Sequence, residues 1–182
     1  MDNLEQLMAD VRAIKDRQDI EDCLRRYSRG MDRSDRELAR SAYHPDALDD
    51  HGGVYIGSGY GLVDWATDGA ERSYERSYHY VTNVSIAFDG DTAHVESYFL
   101  FYAQAKGTFR VDQVGGRYID RFERRDGVWA IAARICTTEW TIPPELAEQI
   151  APLGLPTPRD STDPSYRRPL TVERAPMVLP HP

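Results

Sequence analysis

Two aspartate–glycine pairs constrain the fold of this chain more than any other feature of its sequence. Asp89-Gly90 joins the alternating run Tyr78–Phe88 to the run Thr92–Tyr102, and Asp126-Gly127 joins two similar runs between residues 116 and 140. Such pairs between alternating apolar and polar residues are typical of tight β-hairpin turns. The sequence therefore predicts four consecutive antiparallel strands.

Helical patterns precede these strands. Apolar residues recur at three- and four-residue spacing over residues 4–14 and again over 20–31, which indicates two amphipathic helices or one broken helix. Short irregular strands are predicted over Ala47–Ile56 and a further helix over Gly57–Ser73. Helices covering one face of a curved sheet enclose a conical pocket. The predicted fold class is therefore α+β, with N-terminal helices packed on a strongly curved, mostly antiparallel sheet that forms a cone-shaped half-barrel.

The distribution of proline and glycine marks a boundary near residue 142. Ten of the eleven prolines lie at or after Pro143, whereas twelve of the thirteen glycines lie at or before Gly127. A chain of 182 residues is long enough for one ordinary domain. We predict a domain over residues 1–141 and a proline-rich tail over 142–182, running extended over the surface, over a neighbouring subunit or in solvent.

Charge and composition narrow the classes of partner. The net charge is −8 and the basic residues are scattered, so neither nucleic acid nor an anionic membrane is expected as a partner. A small-molecule ligand is expected instead. No apolar run approaches the roughly 20 residues of a membrane span, and the start of the chain lacks a signal-peptide pattern, so a cytoplasmic protein is expected. The two cysteines, Cys23 and Cys136, are interpreted as buried thiols.

Asp32 and His79 form the most informative pair of candidate residues. Asp32 closes the second helical pattern, and His79 lies in the first strand of the alternating region. A carboxylate that holds one imidazole nitrogen leaves the other nitrogen free to take a substrate proton near neutral pH, with no metal or cofactor. Taken separately, the aspartate is typical of a helix-end turn and the histidine of a structural strand residue. The pair favours an enzyme.

Further candidates come from the same elements. The phenol of Tyr27 could hydrogen-bond a leaving hydroxyl or a carbonyl, although its ring lies on the apolar stripe of its helix. Arg134, on an apolar strand face, needs an anionic partner, which could be Asp32, a reaction intermediate or a structural carboxylate. An aromatic substrate would suit the many tyrosines, although tyrosine favours strands in general. The substrate-binding candidates are Tyr55, Trp65, Asn83, Tyr98 and Tyr102.

Metal, nucleotide and serine-hydrolase chemistry are not predicted. Asp49, Asp50 and His51 have the side chains of metal ligands, but adjacent residues do not easily converge on one ion and no second histidine is placed to complete a set. The chain also lacks a glycine-rich phosphate-binding loop and a nucleophile elbow. We therefore expect neither a metal nor a cofactor.

Five segments, in their order and spacing, resemble the SnoaL-like family of the nuclear transport factor 2-like superfamily over about residues 10 to 140. They are Tyr27-x4-Asp32, Tyr43-His44-Pro45-Asp46-Ala47, His79-Tyr80-x-Thr82-Asn83, Asp89-Gly90-Asp91-x-Ala93 and Arg124–Trp129. The resemblance implies a cofactor-free lyase of the scytalone dehydratase, lindane dehydrochlorinase or bile acid 7α-dehydratase type. It maps Asp32 and His79 onto the catalytic pair of those enzymes, and Tyr27 and Arg134 onto other pocket positions.

The resemblance leaves the reaction and the substrate open. It implies elimination of water, or of formaldehyde by carbon–carbon cleavage, from a bulky hydrophobic hydroxylated molecule such as a lignin-derived aromatic dimer, a steroid or a polyketide. Where scytalone dehydratase has a second pocket histidine, this chain offers Tyr98, Tyr102 and Gln104. Ketosteroid isomerases, cyclases, oxygenase small subunits and binding proteins share the fold and remain alternatives. The family also implies a homo-oligomer, with a trimer favoured over a dimer.

Overall fold

The computed structural model describes residues 3–143, 158 and 160–178. These contain seven strands in one sheet, with the order β3-β4-β5-β6-β1-β2-β7, and three α-helices packed against it. All neighbouring strands are antiparallel except β1 and β6, which are parallel. The predicted α+β fold class, with N-terminal helices on a curved, mostly antiparallel sheet, is confirmed. The elements are α1 Asn3–Asp32, α2 Arg36–Arg40, β1 Tyr43–Asp50, β2 Tyr55–Ser58, α3 Gly59–Ser73, β3 Tyr74–Asp89, β4 Thr92–Ala105, β5 Val111–Arg125, β6 Val128–Ile142 and β7 Met177–Val178.

Both predicted hairpins are present. Between β5 and β6, Asp126 and Gly127 have φ angles of 51° and 80°, the two positive values that a type I′ turn requires. Between β3 and β4, the paired residues Asp89 and Thr92 close around Gly90, whose φ is 59°. The four antiparallel strands predicted from these turns are therefore confirmed.

The opening helical pattern forms one continuous helix of 30 residues, α1. Its second half is buried against the sheet through Ile20, Cys23, Leu24, Tyr27 and Met31. The apolar stripe of its first half is 57–69% exposed and comprises Leu4, Leu7, Met8, Val11 and Ile14. The core is therefore built on the second half of the helix, which ends at Asp32.

The described part of the proline-rich tail packs on the sheet of its own chain. Leu170 is buried against Ile119 and Ile135, on the face of β5 and β6 that points away from α1. Asp163 accepts hydrogen bonds from both terminal nitrogens of Arg117, at 3.2 and 2.7 Å. Further along the tail, β7 pairs with β2 and completes the sheet. The tail therefore covers part of the convex face.

Among the helices of the described ranges, none combines the length and the apolar character that crossing a membrane requires.

Candidate functional site

Asp32 and His79 are hydrogen-bonded to each other. The Nδ1 atom of His79 lies 2.6 Å from Oδ1 of Asp32, and the main-chain N–H of His79 donates to both carboxylate oxygens, at 3.0 and 3.1 Å. The two side chains are 12% and 13% exposed, so the pair is shielded but still reachable from solvent. With Nδ1 held by the carboxylate, the second ring nitrogen of His79 is the one available to a substrate.

The packing of α1 explains why two residues 47 positions apart meet. The buried stripe of the helix ends at Met31, and Asp32 is the last helical residue, so its carboxylate reaches the neighbouring strand β3. β3 forms one edge of the sheet, and His79 lies in its first half. The ring of His79 also packs on the ring of Phe101, with centroids 4.8 Å apart. Helix and sheet therefore fix the imidazole from two sides.

A groove between α1 and β3 gives access to this pair. It has a volume of about 460 Å³, and both Asp32 and His79 line it. Its apolar lining comes from Leu24, Val81 and Val84. A polar rim surrounds this part, comprising Glu21, Arg25, Ser28, Arg29, Arg33, Tyr80 and Thr82. An imidazole beside a partly apolar groove has the arrangement of a general base.

Tyr27 lies beside the pair, as expected, but deep in the core. Its ring meets the ring of His79 edge-on at 6.2 Å, and it meets Tyr43 and Tyr118 in the same way at 5.8 Å. Burial raises the pKa of Tyr27, so the phenol stays protonated and can act only as a neutral hydrogen-bonding group.

Arg134 lies in the core with Asp120 as its partner. Its Nε and one terminal nitrogen donate to the two carboxylate oxygens of Asp120, at 2.7 and 2.8 Å, and both side chains are fully buried. The guanidinium stacks between the rings of Tyr27 and Tyr118, 4.4 and 4.0 Å from their centroids. Burial alone would lower the pKa of Arg134, but Asp120 raises it well above its usual value. Of the partners considered from the sequence, the structure selects a structural carboxylate rather than Asp32.

Two substrate-binding candidates lie on the opposite face of the sheet from His79. In the register of β3 and β4, His79 pairs with Phe101, whereas Tyr98 and Tyr102 pair with Thr82 and Tyr78. Paired residues share a face and successive residues alternate between faces. Tyr98 and Tyr102 therefore point to the convex side, and the expectation that they line the pocket with His79 is not met.

The other three candidates also lie outside the groove. Tyr55 and Trp65 pack on each other, with ring centroids 5.7 Å apart, where β2 meets α3. Asn83 is exposed at a bulge of β3 and has a φ of 50°. The groove residues that sequence reasoning missed are Leu24, Val81 and Val84. A signal for them existed, because Val81 is two residues from His79 along a strand and Leu24 lies on the buried stripe of α1.

A second histidine–aspartate pair, His51 and Asp49, lies in the core. From the sequence, these residues were interpreted only as possible metal ligands. Nδ1 of His51 is hydrogen-bonded to Oδ1 of Asp49, and the hydroxyl of Tyr43 donates to Oδ2 of the same carboxylate at 2.8 Å. Over the described residues, no group of three or more His, Cys, Asp or Glu side chains is arranged to hold a metal ion. The sequence did contain a signal for this pair, because residues two positions apart in an extended segment, such as Asp49 and His51, point to the same face.

Comparison with known proteins identifies a family to which the sequence of this chain is similar. The model of a SnoaL-like domain matches residues 12–135. No curated protein sequence matches at a significant level.

Three solved structures illustrate the structural similarity. A putative scytalone dehydratase from Novosphingobium aromaticivorans is 21% identical, with a TM-score of 0.65 over 73% of this chain and 89% of that one. The hexachlorocyclohexane dehydrochlorinase LinA-type3 from Novosphingobium barchaimii is also 21% identical, with a TM-score of 0.65 over 72% and 92%. A Mycobacterium tuberculosis protein of unknown function is 22% identical, with a TM-score of 0.62 over 83% and 85%. These similarities establish the fold.

Proposed function

The chain belongs to the SnoaL-like domain family, and on that basis we propose that it is a cofactor-independent lyase in which His79 is the general base. The observation that carries the proposal is the hydrogen-bonded pair of His79 and Asp32 at an open groove. The carboxylate holds the ring in one tautomer and stabilises the imidazolium that forms when the other nitrogen takes a proton. A positioned base of this kind contributes about 10²–10⁴-fold in rate.

The proposed substrate is a bulky, hydrophobic molecule that carries hydroxyl groups, such as a lignin-derived aromatic dimer, a steroid or a polyketide. The apolar lining of the groove, formed by Leu24, Val81 and Val84, suits a hydrocarbon or aromatic body. The arginines at the rim, Arg25, Arg29 and Arg33, suit the oxygen atoms of such a substrate. Tyr27, a neutral phenol next to His79, is proposed to border the bound molecule.

Two elimination reactions fit this arrangement. His79 can remove a proton from carbon next to a carbonyl group; a double bond then forms as a β-hydroxyl takes the proton back from the imidazolium and leaves as water. Alternatively, it can remove the proton of a hydroxymethyl group, whose carbon–carbon bond then breaks to release formaldehyde. The electron pair of that bond forms a carbon–carbon double bond as a hydroxyl on the next carbon takes the imidazolium proton and leaves as water. Two of the structurally similar proteins carry the names of a dehydratase and a dehydrochlorinase, both of which are eliminating enzymes.

Arg134 and Asp120 are proposed to support the site indirectly. Their buried ion pair holds the rings of Tyr27 and Tyr118 in place, and Tyr27 in turn contacts His79. Arg134 donates to Asp120 through two nitrogens and to the hydroxyl of Tyr43 through the third at 3.5 Å, so it is proposed to position these rings and not to stabilise an anion of the substrate.

An isomerase or a cyclase is the second candidate, because the same base could return the proton to another carbon of the substrate. The functions of a ligand-binding protein or an oxygenase small subunit do not require a titratable pair beside a groove, so these alternatives are less favoured. We also propose a homo-oligomer, with three copies favoured over two, which light scattering of the purified chain would test.

Turnover assays with matched variants test the proposed function. The purified, chelator-treated protein is screened against hydroxylated steroids, polyketides and diarylpropane lignin dimers, with mass spectrometry of the products. His79→Gln and Asp32→Asn should lose at least about 100-fold in kcat. His94→Gln, which changes a histidine on the convex face, is the matched control and should retain activity. Turnover that survives in both site variants would overturn the mechanism.

A further inference from the structure

The second histidine–aspartate pair has a third member in the core. β1 and β6 run parallel with Asp49 level with Arg134 and Asp50 level with Ile135, so His51, the next residue, lies beside Cys136. Cys136 is in turn the cross-strand partner of Tyr118, whose ring lies 6.2 Å from the ring of His51. Asp49, His51 and Cys136 thus stand in the order carboxylate, imidazole and thiol.

Electrostatics agree with this order. Burial on its own lowers the pKa of His51, but Asp49 and Cys136 both raise it, each through charge and hydrogen bonding, and the resulting pKa lies well above the usual range. A protonated imidazole beside a thiol stabilises the thiolate, which is the reactive form of cysteine. Among the described residues, the other titratable groups near His51 include Tyr118, in ring contact, and Tyr27, Tyr55, Asp50 and Asp120, which interact with it through charge.

The chain contains its own reference cysteine. Cys23 is completely buried, its thiol donates to the carbonyl of Ala42 at 3.2 Å, and burial raises its pKa to about 12. Cys136 is 6% exposed and the ring of His51 beside it is 18% exposed, so of the two thiols that of Cys136 lies nearer to solvent. The two buried cysteines therefore differ in their neighbours, because Cys23 lies against a backbone carbonyl and Cys136 lies beside an imidazole.

We propose that Asp49, His51 and Cys136 form a nucleophilic site, separate from the His79 pair, that adds the Cys136 sulfur to uncharged conjugated carbonyl compounds. The arrangement is that of an activated nucleophile, in which a base lies next to the thiol and a third group orients the base. The surroundings of Cys136 are apolar and include the stacked rings of Phe99 and Tyr118, with centroids 4.6 Å apart, which favours an uncharged reactant.

The addition balances without any further reactant. In the resting site His51 already holds the thiol proton, as an imidazolium beside the Cys136 thiolate, and the sulfur forms a bond to the β-carbon of the α,β-unsaturated ketone. The electrons of the carbon–carbon double bond move to the α-carbon and carbonyl oxygen, giving an enolate. The imidazolium of His51 then protonates the α-carbon, which leaves a thioether adduct and a neutral histidine. Asp49 holds the ring through Nδ1 during this proton transfer.

Alkylation of the full-length, unmodified protein tests the proposal. The rate of iodoacetamide labelling is measured at each cysteine by peptide mass spectrometry between pH 5.5 and 9.5, and adduct formation with 4-phenylbut-3-en-2-one is measured separately. At neutral pH the labelling rate at Cys136 should exceed that of an ordinary thiol, glutathione, measured alongside. The ketone should add to Cys136, and Cys23 should stay unlabelled in the folded protein.

Variants separate the triad from simple exposure. His51→Gln and Asp49→Asn should slow the labelling of Cys136 at neutral pH, whereas His79→Gln should leave its rate unchanged. If the wild-type profile follows an ordinary thiol, or if Cys136 resists labelling under conditions that fully label the urea-unfolded chain, the proposal is overturned. The wild-type profile decides this even if a variant fails to fold. Loss of turnover in His79→Gln is a separate result, so the two proposals fail independently.

Discussion

Asp32 binds His79 through both its main chain and its ring, because one carboxylate accepts the backbone N–H at 3.0 and 3.1 Å and lies 2.6 Å from Nδ1. The last residue of α1 thereby fixes both the position of strand β3 at His79 and the tautomer of the imidazole. A catalytic imidazole needs both kinds of restraint, since a misplaced or wrongly protonated ring cannot accept the substrate proton.

Asp32→Asn should therefore reduce turnover far more than it reduces stability. The amide keeps the size of the carboxylate but loses its charge and one acceptor, so kcat should fall by about 10²–10⁴-fold and the free energy of unfolding by about 1–3 kcal/mol. Steady-state kinetics and urea unfolding measure the two effects.

A control for this variant lies three residues further along. Asp35 caps α2 by accepting a hydrogen bond from the N–H of Leu38 at 3.0 Å, and asparagine caps helices equally well. Asp35→Asn should leave both kcat and stability nearly unchanged. Equal losses in the two variants would show that Asp32 acts only through local structure.

Removing one partner of the buried pair Arg134–Asp120 should lower the free energy of unfolding strongly, whereas replacing both partners by apolar residues should lower it much less. Arg134→Met leaves the Asp120 carboxylate buried without its partner, so the free energy of unfolding should fall by about 3–5 kcal/mol. The double variant Arg134→Met with Asp120→Leu removes both charges and should recover a large part of that loss. Urea denaturation of the two single variants and the double variant gives the coupling energy. Additive losses would contradict a direct ion pair.

The tail should contribute to the stability of the domain through Leu170. This side chain is 1% exposed against Ile119 and Ile135, so Leu170→Ala should lower the free energy of unfolding by about 2–5 kcal/mol. Tyr166, in the same segment, is 65% exposed, and Tyr166→Ala should change stability by less than about 0.5 kcal/mol. Thermal unfolding compares the two variants. Equal stability of Leu170→Ala and wild type would mean that the tail does not stay docked in solution.

His94 should make the docked tail sensitive to acid. Burial and the nearby Arg168 lower the pKa of His94 to about 4. The unfolded chain binds a proton near pH 6.5 whereas the folded chain does so only near pH 4, so this contribution to stability is complete above pH 6.5 and is lost as the pH falls from 6.5 to 4. After allowance for solvent screening the loss is about 1–2 kcal/mol.

The comparison of wild type with His94→Gln isolates this effect from the titration of carboxylates. Urea denaturation between pH 7 and pH 4 should show a steeper decline for wild type than for the variant. Parallel declines would mean that His94 is protonated equally easily in both states.

Local patterns were sufficient for the elements and for much of the fold. The hairpins around Gly90 and Gly127 depend on backbone angles that few residues besides glycine, asparagine and aspartate adopt, so a short stretch of sequence specifies them. The apolar stripe of α1 likewise predicts the buried face of its second half, although the same pattern in the first half is exposed. The resemblance in residue order then brought Asp32 and His79 together as candidates, and the structure has them in hydrogen-bond contact.

The sequence by itself thus determined the turns, the four antiparallel strands and the fold class, because the turns and strands depend on residues close together in the chain. It did not predict that the opening pattern forms one continuous helix or that the tail contributes strand β7. Only the tertiary structure decided which side chains meet across strands. The register of β3 and β4 puts Tyr98 and Tyr102 on the face opposite His79, and the register of β5 and β6 gives Arg134 the carboxylate of Asp120. The turn at Gly90 pairs Asp89 with Thr92 and, continued without interruption, would pair His79 with Tyr102. The irregularity between Thr82 and Ser85 shifts the register by one residue and so exchanges the two faces, and no local pattern predicted it.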